Sequence, residues 1–468
     1  MSETSVMIGL EIHTYLDTKS KLFCGCSTNI INAQPNSHCC NVCLGHPGSK
    51  PVLNAKAVEH AIKVGLALNC KINKDFFFSR KTYFYPDMSA NYQITQYEVP
   101  VAEKGFVMLG EKKIGITRAH LEIDPAALVH PNGMGTSNYS LIDYNRSGFP
   151  LLEIVTDPDM TSPSEARDFL KNLENILSYL QVLMPGSVLK ADCNVSINGG
   201  KRVEIKNISG FAAAEKALTY EISRQKKEAE LGNSVEQQTR AFNAETGKTL
   251  PLRKKETEED YGYIFDPDLV KVSLEDEQIE KIKSEMPELP KQKQQRFVSE
   301  YGLADYDAQV LCSEFAIGKL FENLMQKKAD PKLSAQLLTR ELLSILNHDS
   351  LSLNEVEVSI DALFDLILIM QEGKVNDRNV KQAMINYISG DKQVPKTYLE
   401  ENDLLVDDSI DVDKIIIETL EGNEEAVADY QGGNVKVLNF LAGLIMRETK
   451  GAVRIDEVLE KLKEKLSG

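Results

Sequence analysis

In Gly9-Leu10-Glu11-Ile12-His13 the apolar residues Leu10 and Ile12 alternate with Glu11 and His13, so an extended strand puts a carboxylate and an imidazole on one face and the aliphatic pair on the other. His120-Leu121-Glu122-Ile123-Asp124 repeats the arrangement, and Lys190-Ala191-Asp192-Cys193-Asn194-Val195-Ser196 does so again. After the turn residues Asn198, Gly199 and Gly200, Val203-Glu204-Ile205-Lys206 completes the set, and the last two segments predict a hairpin. A sheet with one solvated face explains any one of these strands. It explains the four together less well, because solvated faces mix Lys, Thr, Ser and Glu. Here Glu11, His13, Glu122, Asp124, Asp192 and Glu204 supply acids and an imidazole, with Lys190 and Lys206 beside them. Hard oxygen ligands next to lysines suit Mg²⁺ and a nucleotide phosphate, which points to a phosphoryl-transfer site on a sheet. The chain has no GxxxxGK[ST] segment and no GxGxxG opening a helix, which disfavours P-loop and dinucleotide-binding architectures.

Five of the eight cysteines fall between Cys24 and Cys43. Cys24-Gly-Cys26 and Cys40-Asn-Val-Cys43 are joined by thirteen residues, a pair-loop-pair layout that fits one tetrahedral Zn²⁺. With all four ligands from protein the zinc is expected to be structural, and Cys39 stands as a fifth candidate. The other reading is a group of buried thiols without metal.

The 468 residues carry 53 basic and 70 acidic side chains, a net charge of −17, which argues against a general nucleic-acid binder and leaves only local contacts. Neither a basic, apolar leader nor an apolar run of about 18 residues is present, so a cytoplasmic protein without a membrane span is expected. Up to about Val272 short alternating runs broken by Gly, Pro and Asn indicate an α+β region. Within it Ser162, Pro163 and Glu165 mark a helix start, followed by Phe169, Leu170, Leu173, Ile176, Leu177 and Leu180 at helical spacing. Beyond Ser273 the pattern turns helical. The acidic stretch Glu400 to Asp413 reads as a linker, and helices are predicted over Val435 to Met446 and Ile455 to Leu466.

Lys81 sits in the aromatic loop Arg80 to Asp87, where Tyr83 and Tyr85 suit a nucleoside end or simple packing. Arg146 precedes Glu153, which lies among apolar neighbours. A structural pair between them and a substrate-orienting role both stand. From Val435 onward seven basic residues, including Lys436, Arg447 and Lys450, outnumber five acidic ones. That surface either meets phosphate or is a solvated helix face.

The stretches GLEIHTYLDTKSKLFCGC, CNVCLGHPGSK, RKTYFYPDMSANYQITQYEVP, AHLEID, SLIDYNRSGFPLLEIVTDPDM, KADCNVSI, VEIKN and DYQGGNVKVLNFLAGLIMRETKG resemble the B-subunit family of the glutamine-dependent aspartyl/glutamyl-tRNA amidotransferases. The resemblance implies an antiparallel cradle domain like the glutamine synthetase catalytic fold over residues 1–290, with the zinc loop at 24–43. A helical domain over 291–405 and a tRNA-contacting helical tail over 406–468 would follow. It implies an ATP-dependent carbon–nitrogen ligase with glutamine as amido donor. The side-chain carboxylate of Glu on tRNA(Gln) or Asp on tRNA(Asn) is phosphorylated, and ammonia from a separate amidase (A) subunit, held by a small C subunit, displaces the phosphate. Carried over to this chain, Glu11, His13 and Glu122 are implied Mg²⁺ ligands and Lys81, Asp192, Glu204 and Lys206 surround the phosphates. Tyr83, Tyr85, Lys190 and Asn194 join the ATP-binding set, Cys24, Cys26, Cys40 and Cys43 hold Zn²⁺, and Lys436, Arg447 and Lys450 touch tRNA. The chain departs from the family pattern at Ile123, where many members have a second Glu, and at Lys190, where Arg is usual; Lys keeps the charge and loses bidentate geometry. The competing readings are a ligase acting on a free amino acid and a non-catalytic, zinc-stabilised RNA-binding protein.

Overall fold

In the computed structural model residues 5–133, 137–254, 261–407, 410–449 and 451–467 are described. They form two compact units, Met1–Leu289 and Pro290–Gly468.

The first unit is built on a nine-stranded sheet. From edge to edge its strands are Lys248–Lys254, Gln238–Asn243, Val203–Lys206, Lys190–Ile197, Val6–Tyr15, Pro150–Thr156, Lys112–Ile123, Ala102–Leu109 and Lys71–Ile72. Neighbours are antiparallel except Val203–Lys206 with Gln238–Asn243, which run parallel because the helix Phe211–Glu230 makes the crossover between them. The expected hairpin is present: Asn198 and Gly199 adopt φ of 50° and 68°, the consecutive left-handed pair that a tight primed turn requires.

Alternation separates the two faces of the sheet. Leu10, Ile12, Leu121, Leu152, Ile154, Cys193, Val195 and Ile205 are at most 1% exposed and pack in one continuous core with the helices Ala55–Ala67, Pro163–Tyr179 and Phe211–Glu230. Ser162 caps the second of these, its Oγ accepting from the Glu165 N–H at 3.2 Å. Glu165 departs from a simple capping box. Its carboxylate accepts from the Thr161 N–H at 2.7 Å, one residue before the cap, and from Lys112 Nζ, also at 2.7 Å, which draws it toward the sheet.

The second unit runs through helices from Pro290–Tyr301 to Ile455–Ser467. Its buried apolar side chains form two clusters, one from Phe297 to Leu404 and one from Val412 to Leu466. The stretch expected to be a loose linker is anchored instead. Glu400 and Glu401 end the helix Pro395–Glu401, Leu404 and Val412 each enter a core, and Asp411 caps Val412–Glu421. Backbone bonds from Val406 to Lys374 and from Asp407 to Ala452 hold the chain between them. The two C-terminal helices run over Val437–Glu448 and Ile455–Ser467, preceded by Val412–Glu421 and Glu424–Gln431, which the acidic composition had hidden. Among the described residues no helix is long and apolar enough to cross a membrane.

Candidate active site

The open face of the sheet is read directly from the register. Lys190 faces His13, His13 faces Glu153 and Glu153 faces His120, giving one row across four strands. In the next row Asp192 faces Glu11, with the Lys206 ammonium reaching Asp192 from the adjoining strand, and in a third Glu204 faces Asn194, which faces Gly9. Because each strand's other face is locked into the core, these side chains are fixed by the sheet rather than by loops.

Glu153 is the hub. Its carboxylate lies 3.4 Å from His13 Nε2, 3.5 Å from His120 Nε2 and 3.8 Å from an Arg118 guanidinium nitrogen. His13 Nε2 is also 3.7 Å from Glu122 and 4.0 Å from Glu11. Two groups bring their ligand atoms within 4.8 Å of one another, Glu11–His13–Glu153 and His120–Glu122–Glu153, and Glu153 belongs to both. Lys206 Nζ is 2.7 Å from Asp192 and 3.6 Å from Glu204, whose carboxylate accepts from Thr239 Oγ1 at 2.9 Å.

The electrostatics are those of crowded acids in a poorly solvated floor. The Glu153 charge and then burial raise the Glu11 carboxyl; burial and then Glu153 push Glu122 up to about 7. Burial works against the His13 imidazolium, yet the carboxylates of Glu153, Glu122 and Glu11 raise it to about 10. Burial lowers His120 to about 4, which leaves it neutral near pH 7. Burial also opposes ionisation of Glu153, but His120, His13 and Lys81 hold its carboxyl below the ordinary range; with His120 neutral, the standing cations are His13 and Lys81. Glu11, Glu122 and Glu153 crowd together on this floor, and hard oxygen donors around one point are the donor set a divalent cation takes.

A cavity of about 680 Å³ opens on this floor, lined by Glu11, Lys81, Gln96, Glu122, Glu153, Asn194, Glu204 and Lys206. Lys81 enters from a separate three-stranded sheet, Ile264–Phe265, Ser79–Thr82 and Tyr92–Thr95. Burial opposes its charge, and Glu122 with Glu153 restores it. Of the aromatic residues expected here, Tyr85 is exposed and Tyr83 half-buried, and neither lines the cavity. Tyr97, Tyr261 and Tyr263 do, with Tyr97 and Tyr263 stacked at 4.0 Å and Lys81 Nζ 4.8 Å from the Tyr261 ring centre. Lys190 places its ammonium 5.4 Å from the Tyr15 ring centre, and Asp192 reaches the site through Lys206.

Of the two readings of Arg146, the structural pair with Glu153 does not form. Arg146 Nε meets Asp124 at 2.8 Å, and the guanidinium donates to the Pro125 and Ala126 carbonyls at 3.0 and 2.8 Å. Asp124 also accepts from the Tyr15 hydroxyl, so it is absent from both ligand groups, and Ile123 packs against the core. Arg118, Thr239, Tyr261 and Tyr263 were missed in the sequence, and Glu153 was singled out there only as a partner of Arg146 or a substrate-orienting acid. The signal for its place on the open face was parity, since Leu152 and Ile154 face the core on either side of it.

The sulfurs of Cys24, Cys26, Cys40 and Cys43 also lie within 4.8 Å of one another, a spacing compatible with the roughly 3.8 Å edges of a zinc tetrathiolate. Cys39 is outside the group, with its Sγ 3.8 Å from Asn145 Oδ1. A hydrogen bond from Cys24 lowers the Cys43 thiol to about 4, helped against burial by the Cys40 N–H and Lys21. The same bond, with burial, raises Cys24, and burial lifts Cys26 to about 11. The four soft donors fit zinc. In the second unit Lys436 and Arg447 are exposed on either side of Phe440, also exposed, whereas Lys450 lies outside the described residues.

Residues 6–280 match the family model described as the GatB/GatE catalytic domain, and residues 319–466 match the GatB domain. The aspartyl/glutamyl-tRNA(Asn/Gln) amidotransferase B-subunit of Methanosarcina acetivorans is 43% identical, with 99% of this chain and 98% of the relative covered. The B-subunits of the same name from Saccharolobus solfataricus and Thermotoga maritima are 41% and 40% identical, each aligned over 98% of this chain and covering 99% and 98% of their own lengths. Domain matches in order, relatives aligned end to end and an acid-rich sheet within the first match agree, and the chain belongs to the B-subunit family of the aspartyl/glutamyl-tRNA(Asn/Gln) amidotransferases.

Proposed function

We propose that this chain is the kinase and transamidase subunit of a tRNA-dependent amidotransferase, acting on Glu-tRNA(Gln), Asp-tRNA(Asn) or both. The observation that carries the reading is the ring of acids and imidazoles around Glu153, flanked by Lys81 and Lys206. Mg²⁺ on Glu11, His13, Glu122 and Glu153 would neutralise phosphate charge and polarise the transferring phosphorus. Lys81 and Lys206 act as point charges for phosphate oxygens, with Asp192 holding Lys206 in place and Thr239 holding Glu204. The stacked Tyr97–Tyr263 pair, with Tyr261, offers π-faces to an adenine, and Asn194 lies beside the phosphates. A side-chain carboxylate oxygen of the aminoacyl group attacks the terminal phosphorus of ATP and ADP leaves. Ammonia then adds to the acyl carbon and expels phosphate, giving the amide.

The chain carries no nucleophile motif for glutamine hydrolysis, so ammonia comes from an amidase subunit joined through a small third subunit. In this reading residues 1–290 are a cradle of glutamine synthetase type, 291–405 a helical domain and 406–468 a tail that meets tRNA through Lys436, Arg447 and Lys450. Cys24, Cys26, Cys40 and Cys43 hold a structural Zn²⁺, and the enzyme works in the cytoplasm. The test is ATP cleavage by the reconstituted complex with and without Glu-tRNA or Asp-tRNA, comparing the native chain with Glu11→Gln. Stimulation by charged tRNA and its loss in the variant are expected. Cleavage indifferent to charged tRNA would move the reading to a free amino acid, and absence of cleavage to an RNA-binding role.

A further inference from the structure

Lys21 is fully buried, yet among the described residues no carboxylate stands within ion-pair distance of it. Its ammonium donates only to two backbone carbonyls, His38 at 2.9 Å and Tyr144 at 3.3 Å. Lys293, also buried, shows the ordinary solution: Glu322 lies 2.9 Å away. A cation enclosed without a counter-charge is strongly disfavoured, so the charge that balances Lys21 has to come from something other than a carboxylate.

The neighbouring group of opposite sign is the thiol cluster. His38 lies in the loop between the two cysteine pairs, and the Lys21 N–H donates to the Cys26 carbonyl at 3.0 Å. The Lys21 and Cys43 side chains flank the same glycine. A Cβ built on Gly148 would stand 3.5 Å from Cys43 Cβ and 3.6 Å from Lys21 Cδ. Four thiolates around a divalent ion carry a net double negative charge, and burying that charge is unfavourable for the same reason as burying the lysine.

We propose that Lys21 is the counter-charge of the tetrathiolate centre, a positioning residue whose ammonium offsets the metal site's excess negative charge and whose two carbonyl bonds tie the ligand loop to Tyr144. The inference rests on the zinc reading above. It predicts a dependence on zinc that a merely structural lysine does not produce. With zinc bound Lys21 answers a doubly negative centre, and with zinc removed that centre is gone and the side chain contributes less.

The experiment compares the full-length native chain with Lys21→Met, and with Lys21→Gln, which keeps a donor for the two carbonyls without the charge, should the first variant not fold. Zinc affinity is measured by competition with a chromophoric chelator, and thermal unfolding is followed with zinc bound and with zinc stripped. Zinc binding weakened by about tenfold or more is expected, the effect of removing an outer-shell partner. The midpoint should fall further in the zinc-loaded variant than in the stripped one. A smaller loss of affinity, or the same fall in midpoint with and without zinc, would overturn the proposal and leave Lys21 as a brace for two carbonyls. A native chain that binds no zinc would remove the zinc reading itself, and the proposal with it, a result distinct from tight binding by native and variant alike.

Discussion

Truncating Glu221 should unlock the edge of the sheet that supports Glu204. Glu221 is 0% exposed in the middle of Phe211–Glu230 and accepts from Arg224 at 2.6 Å, Thr249 Oγ1 at 2.9 Å and Gln225 at 3.0 Å, with Arg240 Nε 3.3 Å away. Arg240 is 8% exposed and donates to Thr249 Oγ1 and the Thr249 carbonyl, both at 2.8 Å, which clips Gln238–Asn243 to Lys248–Lys254. In Glu221→Ala the Arg224 guanidinium can turn to solvent, but Arg240 is left buried without its carboxylate, at a cost of about 3–5 kcal/mol. The Thr249 hydroxyl loses its acceptor, which adds about 1 kcal/mol. A domain is typically stable by about 5–15 kcal/mol, so the loss is a large fraction of the whole. Replacing both members of the pair, Glu221→Met with Arg240→Met, removes the orphaned charge and should recover at least half of it. Urea unfolding by far-UV circular dichroism suits a chain without tryptophan, and hydrogen exchange over residues 238–254 localises the effect. A Glu221→Ala cost below about 1.5 kcal/mol, or single effects that simply add to within about 0.5 kcal/mol in the double variant, would refute the reasoning.

Glu153→Gln keeps the shape of the hub and removes its charge, so the Mg²⁺ concentration for half-maximal ATP cleavage by the complex should rise about 10- to 100-fold; an unchanged Mg²⁺ response would show that Glu153 only orients the two histidines. In Gly105→Ala the new methyl would collide with Cys70 Sγ and stand 2.5 Å from the Leu68 carbonyl oxygen, so thermal unfolding should reveal a loss of about 3 kcal/mol or more. Cys70→Ala should not rescue it, because the Leu68 contact is backbone. Burial lowers His60 from its ordinary 6.5, so the fold prefers the neutral ring and its contribution is present above that pH and lost as pH falls. Between pH 7 and pH 5 the native chain should therefore lose up to about 2 kcal/mol more than His60→Gln, and parallel stability curves would contradict the burial argument.

The sequence made individual strand faces legible, because parity is a local property: Leu10 and Ile12 against Glu11 and His13 need no knowledge of neighbours. Which strands adjoin is not local. Pro150–Thr156 lies between Val6–Tyr15 and Lys112–Ile123, and only that order turns Glu153 from an acid among aliphatic residues into the link between His13 and His120. Tyr261 and Tyr263 were invisible for a similar reason. The segment that follows them, Ile264–Phe265, pairs with Ser79–Thr82 from far earlier in the chain, beside Lys81. The acidic stretch before the tail misled through composition, which registers its exposed acids more strongly than the single buried Leu404 or Val412 that ties it down.

Both charged centres in the first unit follow one electrostatic rule from opposite sides. On the sheet the carboxylates are crowded and poorly solvated enough to raise Glu11 and Glu122, and His13, Lys81, Lys206 and Arg118 already face carboxylates. More positive charge brought by a substrate complex is therefore welcome there, whereas another bare anion is not. Under the proposed function this favours ATP arriving with its divalent cation over ATP alone, and it makes acceptance of a substrate carboxylate conditional on that cation. At the cysteine loop the buried charge is a lysine with no described carboxylate in ion-pair distance, and in the zinc reading the four thiolates around the metal supply the negative charge that answers it. The loop touches the rest of the first unit through Tyr144, whose neighbour Asn145 donates to the Gln34 carbonyl at 2.7 Å and whose segment continues through Arg146 into Asp124 at the end of the Glu122 strand. A metal lost from the loop would release Lys21 from Tyr144 first and reach the sheet through Arg146. Hydrogen exchange should therefore rise at residues 143–148 before it rises in Pro150–Thr156, and simultaneous deprotection of both would argue that the loop and the sheet unfold as one.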